Sequence, residues 1–449
     1  MAKRIIVIGS GAAGMTAASA ARKQSADAEI TLFTEDEHIA YSPCAIPYVI
    51  EGKIPDFESI VMHTPQFYKE KRNIEVRTMT KVTSLDVDKK TLTTSDGQAH
   101  TFDSIVLATG GTVFMPPVEG VKLKGVLPVR SISDGKAIRS MMADTRSAVI
   151  AGAGVIGLEM ALALKHAGKQ VTVVEMFPQV IPRIMDKDMA DLLQEHIASL
   201  GVEFVMSAPI TAIKGKERVE AVVAGGKEYP CQMVIMATGV RANLELPNMI
   251  GLDVGALGAV RVSATLQPYR KGRLVKDVYL AGDVIQCESA LAPGPTMSQL
   301  GSSAVRQGDV AGTNAAGGYA TYPGVASAWV SHLGDVQAAG TGLSKGLAEY
   351  YGIRTVEGIG KGLTKARYYP GGKKIVVKVL ADAATHRLIG AQIVSGEDAT
   401  GRINWLTAAM LKGVSAEEFG NAFENAYCPP TSMVKDVVNV AVEDLLTKL

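Results

Sequence analysis

The chain has 449 residues, of which 47% are apolar and 20% charged. That is the balance of an ordinary globular protein, with room for about three domains. Lysine and arginine total 46 against 45 aspartates and glutamates, and no long basic run occurs, so a positive footprint for nucleic acid is missing. No apolar run approaches the roughly 20 residues that a membrane span needs. The first residues run directly into a strand pattern with no cleavable apolar leader, so a cytoplasmic protein with reduced thiols is expected.

The apolar run Ile5–Ile8 ends in Gly9-Ser10-Gly11-Ala12-Ala13-Gly14. Helical sequence follows from Met15 to about Lys23, and a second strand pattern spans Glu29–Phe33. This is the strand, turn, helix and strand context that a dinucleotide fingerprint requires. Gly9 permits the tight turn, Gly11 admits a pyrophosphate to the backbone, and Gly14 lets helix and strand pack closely. The pyrophosphate then rests on free amides at a helix N-terminus. An acidic ribose ligand is expected after the second strand; Thr34 stands there, with Glu35 beside it as the substitute.

The next segment reads Tyr41-Ser42-Pro43-Cys44-Ala45-Ile46-Pro47-Tyr48. It lies beyond the second strand, at the mouth where ligands meet an open α/β sheet. A cysteine near a helix start has its thiolate stabilised and becomes more nucleophilic. The other cysteines, Cys231, Cys287 and Cys428, are widely spaced and show neither a disulfide framework nor a metal pattern. The first unit closes on Ile105-Val106-Leu107-Ala108-Thr109-Gly110.

The plan then repeats. Ser147–Ala151 leads into Gly152-Ala153-Gly154-Val155-Ile156-Gly157, and a helix runs to about Ala167 with Gly168 closing it. A strand over Gln170–Val174 ends at Glu175, where a carboxylate accepts from a ribose 2′-hydroxyl and repels a 2′-phosphate; this favours NADH, with NADPH left open. Val234-Ile235-Met236-Ala237-Thr238-Gly239 closes this unit as 105–110 closes the first. Two dinucleotide units in one chain are what a flavin enzyme using a nicotinamide needs. A third strand, Val278–Leu280, delivers Ala281-Gly282-Asp283 onto a turn, with a helix expected from near Thr296. Farther on, 376–380 and 388–394 read as strands and 402–411 as an amphipathic helix.

This order of motifs resembles the pyridine nucleotide–disulfide oxidoreductases. The resemblance implies an α/β fold of two Rossmann-like dinucleotide-binding domains plus a C-terminal α+β dimerisation domain. FAD would bind residues 1–115 and 250–322, NADH residues 116–249, and 323–449 would form a homodimer interface that shares active sites. FAD would contact Gly9, Gly11, Ala12, Ala13, Gly14, Thr34, Glu35, Pro43, Ala108, Thr109, Gly110, Gly282 and Asp283. Asp283 would hold the ribityl chain, and the helix after it would direct its N-terminus at the isoalloxazine. NADH would lie on Gly152, Gly154, Val155, Ile156, Gly157, Glu175 and Gly239.

The segment around Cys44 is similar to the single-cysteine branch of that family. This branch includes coenzyme A disulfide reductases, persulfide reductases, and NADH oxidases and peroxidases. No second cysteine is near, so the partner sulfur would come from substrate, from a bound thiol such as coenzyme A, or through a sulfenic acid. Cys-x-x-Pro-Tyr is most similar to the reductases; the oxidases and peroxidases carry a His in the first glycine loop, which here has none. Tyr427-Cys428-Pro429-Pro430-Thr431-Ser432 resembles a reductase motif whose Tyr reaches the partner's cysteine, and Tyr368-Tyr369-Pro370-Gly371 a second, with Tyr369 favoured from spacing. For coenzyme A, Thr16, Lys23, Lys71 or Arg72, and Lys435 fall near matching positions, whereas Ala20, Ala40 and Pro43 replace groups that are polar in at least one such enzyme. The function implied is NAD(P)H-dependent reduction of sulfur–sulfur bonds in a small molecule, with oxygen reduction as the alternative.

Overall fold

The computed structural model describes residues 2–449. Ile5, Ile6, Val7 and Ile8 are all buried, as in a parallel strand covered on both faces. Strand Arg4–Ile8 lies between Glu29–Phe33 and Ser104–Leu107, and Ile74–Arg77 and Val278–Leu280 complete a five-stranded parallel sheet. The last of these strands comes from far along the chain, so the polypeptide leaves the sheet after Leu107 and later returns. Helices Ala12–Gln24 and Gly301–Ala315 pack on this sheet and on each other. Their backbones nearly touch. A β-carbon at Gly308 would stand 2.3 Å from the Ala13 carbonyl oxygen, and one at Gly312 would stand 2.1 Å from that of Ala17.

The excursion forms a second parallel sheet, in the order Glu203–Val205, Gln170–Val174, Ser147–Ala151, Met233–Met236, Val126–Pro128. Helix Val155–His166 follows its central strand, and Gly168, at φ +78°, ends the helix as expected. The excursion starts and finishes at one place: Gly111–Val113 pairs antiparallel with Val240–Ala242, and the Phe114 amide donates to the Gly239 carbonyl at 2.9 Å.

The C-terminal part is a five-stranded antiparallel sheet, ordered Trp329–Leu333, Val336–Gly342, Leu388–Ser395, Lys374–Asp382, Thr355–Leu363. Helices Ala399–Leu411 and Val437–Leu446 pack on it. Both expected strands and the expected helix are present, each slightly longer than its sequence pattern. Lys378, buried on this sheet, pairs with Asp186 (3.0 Å) and Asp188 (3.0 Å) at the start of helix Lys187–Ser199 and with Glu357 (3.1 Å). One lysine thus fastens the second unit to the third.

The helix expected from near Thr296 starts instead at Gly301. Pro295–Thr296 is a short strand paired with Ile285–Glu288, and Leu300 is extended. Ladder hydrogen bonds hold this stretch out of the helix.

Candidate active site

The two glycine loops are built alike. Gly9 has φ +107°, and a β-carbon there would lie 2.2 Å from the Ala108 oxygen; one on Gly14 would lie 1.9 Å from the Gly9 oxygen. In the second loop Gly152 has φ +106° and its β-carbon would meet the Ala237 oxygen at 2.4 Å, while that of Gly157 would meet the Gly152 oxygen at 2.1 Å. The middle glycines differ: Gly11 and Gly154 have no atom within 4 Å of the β-carbon position. Each is the N-cap of its helix and has no side-chain cap, so the first-turn amides face an open cradle suited to a pyrophosphate.

Around the first cradle, Ala12 is exposed and Ala13 buried. Thr34 is buried and holds the loop, its hydroxyl 3.0 Å from that of Ser10. Glu35 is exposed, with Lys81 at 4.0 Å. Thr109 donates through its hydroxyl to the Asn243 carbonyl, and Gly110 adopts φ +62° against Arg130. Gly282 has φ +87° and its amide donates to Gln307 Oε1 at 2.8 Å. Asp283 behind it accepts from Arg130 Nη2 at 2.9 Å. Arg130 was not foreseen from sequence. It brings a cation to the rim between Gly110 and Asp283, where the Asp283 carboxylate holds it.

At the second cradle Glu175 is buried and both its oxygens are engaged, by the amides of Ala153 (2.8 Å) and Phe177 (2.9 Å). It braces the glycine loop from beneath. Val155 is partly buried, and exposed Ile156, Met176 and Phe177 give the rim an apolar character suited to an adenine. Gly239 adopts φ +101° at the closing turn.

Cys44 lies between the two cradles in sequence. Pro43–Ala45 forms a single 3₁₀ turn that runs into helix Ile46–Glu51, and this helix packs along Val155–His166 of the second unit. Pro43 and Cys44 are exposed. Tyr48 is one helical turn beyond Cys44, and burial together with Glu159, Glu51 and Cys44 pushes its phenol up. Glu159, on the 155–166 helix, is raised by burial, against a 2.6 Å hydrogen bond from Ser331. All four cysteines are free thiols. Cys231 and Cys287 are buried, and burial pushes both up to about 12, with Glu288 adding to the effect at Cys287. Cys428 is exposed, like Cys44.

Cys428 follows Tyr427 in a loop that meets the 364–373 loop. The Tyr427 and Tyr368 hydroxyls are 2.6 Å apart, and the Ala366 amide donates to the Pro429 carbonyl at 3.3 Å. The hydrogen bond with Tyr368 raises the Tyr427 phenol. Spacing had favoured Tyr369 as the second tyrosine; the hydroxyl that meets Tyr427 is that of Tyr368, while Tyr369 stands beside it, also exposed.

Residues 3–308 match the family described as pyridine nucleotide-disulphide oxidoreductase, and 330–436 match its dimerisation domain. The chain belongs to this family. It is a flavin-dependent NAD(P)H oxidoreductase. Among its relatives is an NADH oxidase of Methanocaldococcus jannaschii, 45% identical with 99% of each chain covered. Another is the NAD(P)H coenzyme A polysulfide/persulfide reductase of Pyrococcus horikoshii, 34% identical with 97% of each covered. The structure of an NAD-dependent persulfide reductase from A. fulgidus superposes with TM-score 0.95 at 31% identity, over 99% of this oxidoreductase and 83% of that chain. Among the described residues no helix of the oxidoreductase is long and apolar enough to cross a membrane.

Of the residues suggested for a thiol carrier, Lys23, Lys71 and Arg72 stand where the ends of helices 12–24 and 65–72 meet. Lys23 and Lys71 are exposed and take part in none of the ion pairs found among the described residues. Arg72, also exposed, gives its carbonyl to the Arg22 guanidinium. Lys435 is paired with Glu443. Thr16 lies against the helix crossing, near Gly308. Ala20 is buried, and Ala40 adopts φ +52° just before the cysteine turn.

Proposed function

We propose that this enzyme uses NADH to reduce the sulfur–sulfur bond of a small molecule: coenzyme A disulfide, coenzyme A persulfide or polysulfide. The observation that carries this reading is the exposed, free Cys44 at the start of a helix packed on the nicotinamide unit, with Cys231 and Cys287 buried. No second cysteine shares the turn or helix that carries Cys44, and the other exposed thiol, Cys428, lies in a separate loop, so in this reading the sulfur partner comes from the substrate. When bound, FAD supplies a two-electron link between NADH and sulfur. The Cys44 thiolate attacks one sulfur of the substrate; the substrate S–S bond breaks, a mixed disulfide forms on Cys44, and a thiolate leaves. Tyr427 of the partner subunit gives that thiolate a proton, and Tyr368 steadies the phenolate that remains. An electron pair delivered to the mixed disulfide then restores the Cys44 thiolate and frees the second thiol.

The ground beside Cys44 supports coenzyme A as carrier. An isolated bridge ties Tyr41 to Val61, and exposed Met62 follows. The ring of His63 stacks on Phe67 at 4.0 Å, and helix Pro65–Arg72 ends with unpaired Lys71 and exposed Arg72. An apolar strip leading to cations suits a pantetheine arm that ends in phosphates. The negative charge of Glu35, and of Glu175 although its oxygens are held by its own loop, disfavours a 2′-phosphate at either cradle and so supports FAD and NADH. Oxygen reduction through a Cys44 sulfenic acid is the second reading, favoured by the 45%-identical relative named NADH oxidase.

The deciding experiment is anaerobic NADH consumption with each of the three sulfur compounds, in wild type and Cys44→Ser. Turnover on one of them, lost in the variant, is the expected result. No turnover on any, with oxygen alone driving NADH consumption, would replace this reading with the oxidase.

A further inference from the structure

Two loops carry Tyr368 and Tyr427, and both are exposed on the protomer, where nothing in the core fixes them. Their anchors converge on one short stretch, residues 397–402. The 364–373 loop is closed at its neck by the Thr364 amide donating to the Lys373 carbonyl (2.9 Å) and the Lys373 amide donating to Thr364 Oγ1 (3.0 Å). The Thr364 hydroxyl in turn donates to Glu397 Oε1, and Lys365 Nζ lies 3.1 Å from the same oxygen. Glu397 is therefore a single carboxylate that holds the two residues at the root of the tyrosine loop. The 425–432 loop is held from the next turn. Arg402, 4% exposed, clasps Asp436 at 2.7 Å and Asp398 at 3.0 Å. The Asp436 amide donates to Asn425 Oδ1 at 3.2 Å, and Asn425 Nδ2 donates to the Met433 carbonyl at 3.0 Å.

We propose that Glu397 is a positioning residue for the tyrosine pair: its carboxylate clamps the root of the 364–373 loop and so sets where the Tyr368 hydroxyl meets that of Tyr427. Its catalytic meaning rests on the role given to Tyr427 above; the clamp itself does not. Arg402 is the buried half of the same device, and its loss would disturb the packing of helix Ala399–Leu411 as a whole. Glu397 is partly exposed, with its side chain 32% accessible, so it can be changed with less harm to the core. The ledger at its carboxyl is consistent with a permanent anion: burial works against the charge, but Thr364 and Lys365 outweigh it and hold the group below the usual carboxylate range.

The test uses the flavin-loaded full-length enzyme, with Glu397→Ala, Glu397→Gln, Tyr427→Phe and the double variant Glu397→Ala/Tyr427→Phe. Tyrosine ionisation followed in the ultraviolet, with Tyr427→Phe as the subtracted reference, reports the pair without any turnover. The expected result is that Tyr427 titrates above the ordinary tyrosine range in wild type and returns toward it in Glu397→Ala. Flavin reduction by NADH stays at the wild-type rate in stopped flow. Reoxidation by coenzyme A disulfide slows about tenfold to a hundredfold, the cost of misplacing a reacting group by roughly 1 Å. The double variant loses no more than Tyr427→Phe alone. Glu397→Gln, which keeps an acceptor for Thr364, falls between wild type and Ala, and it carries the same measurements if the Ala variant does not assemble. An unchanged Tyr427 titration in Glu397→Ala overturns the proposal. So does a double variant whose loss is the product of the two single losses, because Glu397 would then act by another route. If Tyr427→Phe itself reoxidises at the wild-type rate, the functional reading of Tyr427 fails, and the titration alone decides the clamp.

Discussion

The third glycine of the second loop offers the sharpest test of how this enzyme holds its nicotinamide. A β-carbon on Gly157 would stand 2.1 Å from the Gly152 oxygen, where contacts under 3.0 Å essentially never occur, so about 0.9 Å must be made up by moving the helix off the strand. Both neighbours are backbone, and neither can swing aside. Overpacking of this kind costs about 1–3 kcal/mol. If it falls on the bound geometry, NADH affinity drops about fivefold to 150-fold, since each 1.4 kcal/mol is tenfold. Gly154→Ala is the matched control, because no atom lies within 4 Å of its β-carbon position. There the added methyl meets only the nucleotide: affinity falls while the thermal midpoint stays put. Gly157→Ala is expected to lower both. The assay is flavin bleaching against NADH concentration under anaerobic conditions, with flavin content and thermal melting measured on the same preparations. Flavin occupancy remains full in both variants, because the first loop is untouched. A Gly157→Ala enzyme with wild-type affinity and wild-type melting would refute the steric argument.

Three further outcomes follow from burial and charge. A thiol reagent at mild alkaline pH should leave Cys231 and Cys287 unmodified until the chain is unfolded, since burial pushes both up to about 12; mass-mapped labelling of either in the native enzyme would contradict this. Glu159, raised by burial, holds its proton more tightly folded than unfolded, so its contribution to stability is full below the ordinary carboxyl range and is lost as pH rises through its raised folded value. Melting compared from about pH 4 upward should therefore show Glu159→Gln gaining on wild type as pH rises, and a constant difference would sink the assignment. Lys378→Met leaves the buried Asp186 without its cation, while Asp188 and Glu357 can turn to water, and should cost about 3–5 kcal/mol in denaturant unfolding; a loss below about 1 kcal/mol would mean that the Lys378–Asp186 pair is not buried as described.

What was legible in the sequence was local. Gly14 and Gly157 were readable because each meets a backbone oxygen of its own strand–turn–helix unit; Gly9 and Gly152 were readable from the motif, although the oxygens that they meet, those of Ala108 and Ala237, lie far along the chain. The helix start at Cys44 was readable because Pro43 and Pro47 frame it, whereas the role expected of the thiol came from the family resemblance. The illegible parts join distant segments. Arg130 and Asp283 are 153 residues apart, and Glu159 and Ser331 are 172 apart, so no window of sequence holds both partners. Tyr368 and Tyr369 are adjacent and chemically identical; which hydroxyl reaches Tyr427 depends on the twist of a loop whose root is held by Glu397. The delayed start of the Gly301–Ala315 helix has the same origin, since Thr296 is drawn into a strand by Cys287. Glu175 shows a subtler limit: its identity was read as a ribose contact, yet two amides of its own chain already occupy its oxygens.

The paired strands at 111–113 and 240–242 have an architectural consequence. Because Phe114 and Gly239 are hydrogen-bonded to each other, everything between them enters and leaves through one doorway only two strands wide. The segment is a cassette. Its ends are already closed on themselves, so a cassette of different nucleotide preference spliced in at that doorway would have to keep only the faces that meet the rest of the chain, among them the 155–166 helix beside the cysteine turn, Arg130 against Asp283, and Asp186 and Asp188 against Lys378. A lineage that diversified by exchanging cassettes would keep one cysteine turn and vary only the source of its electrons.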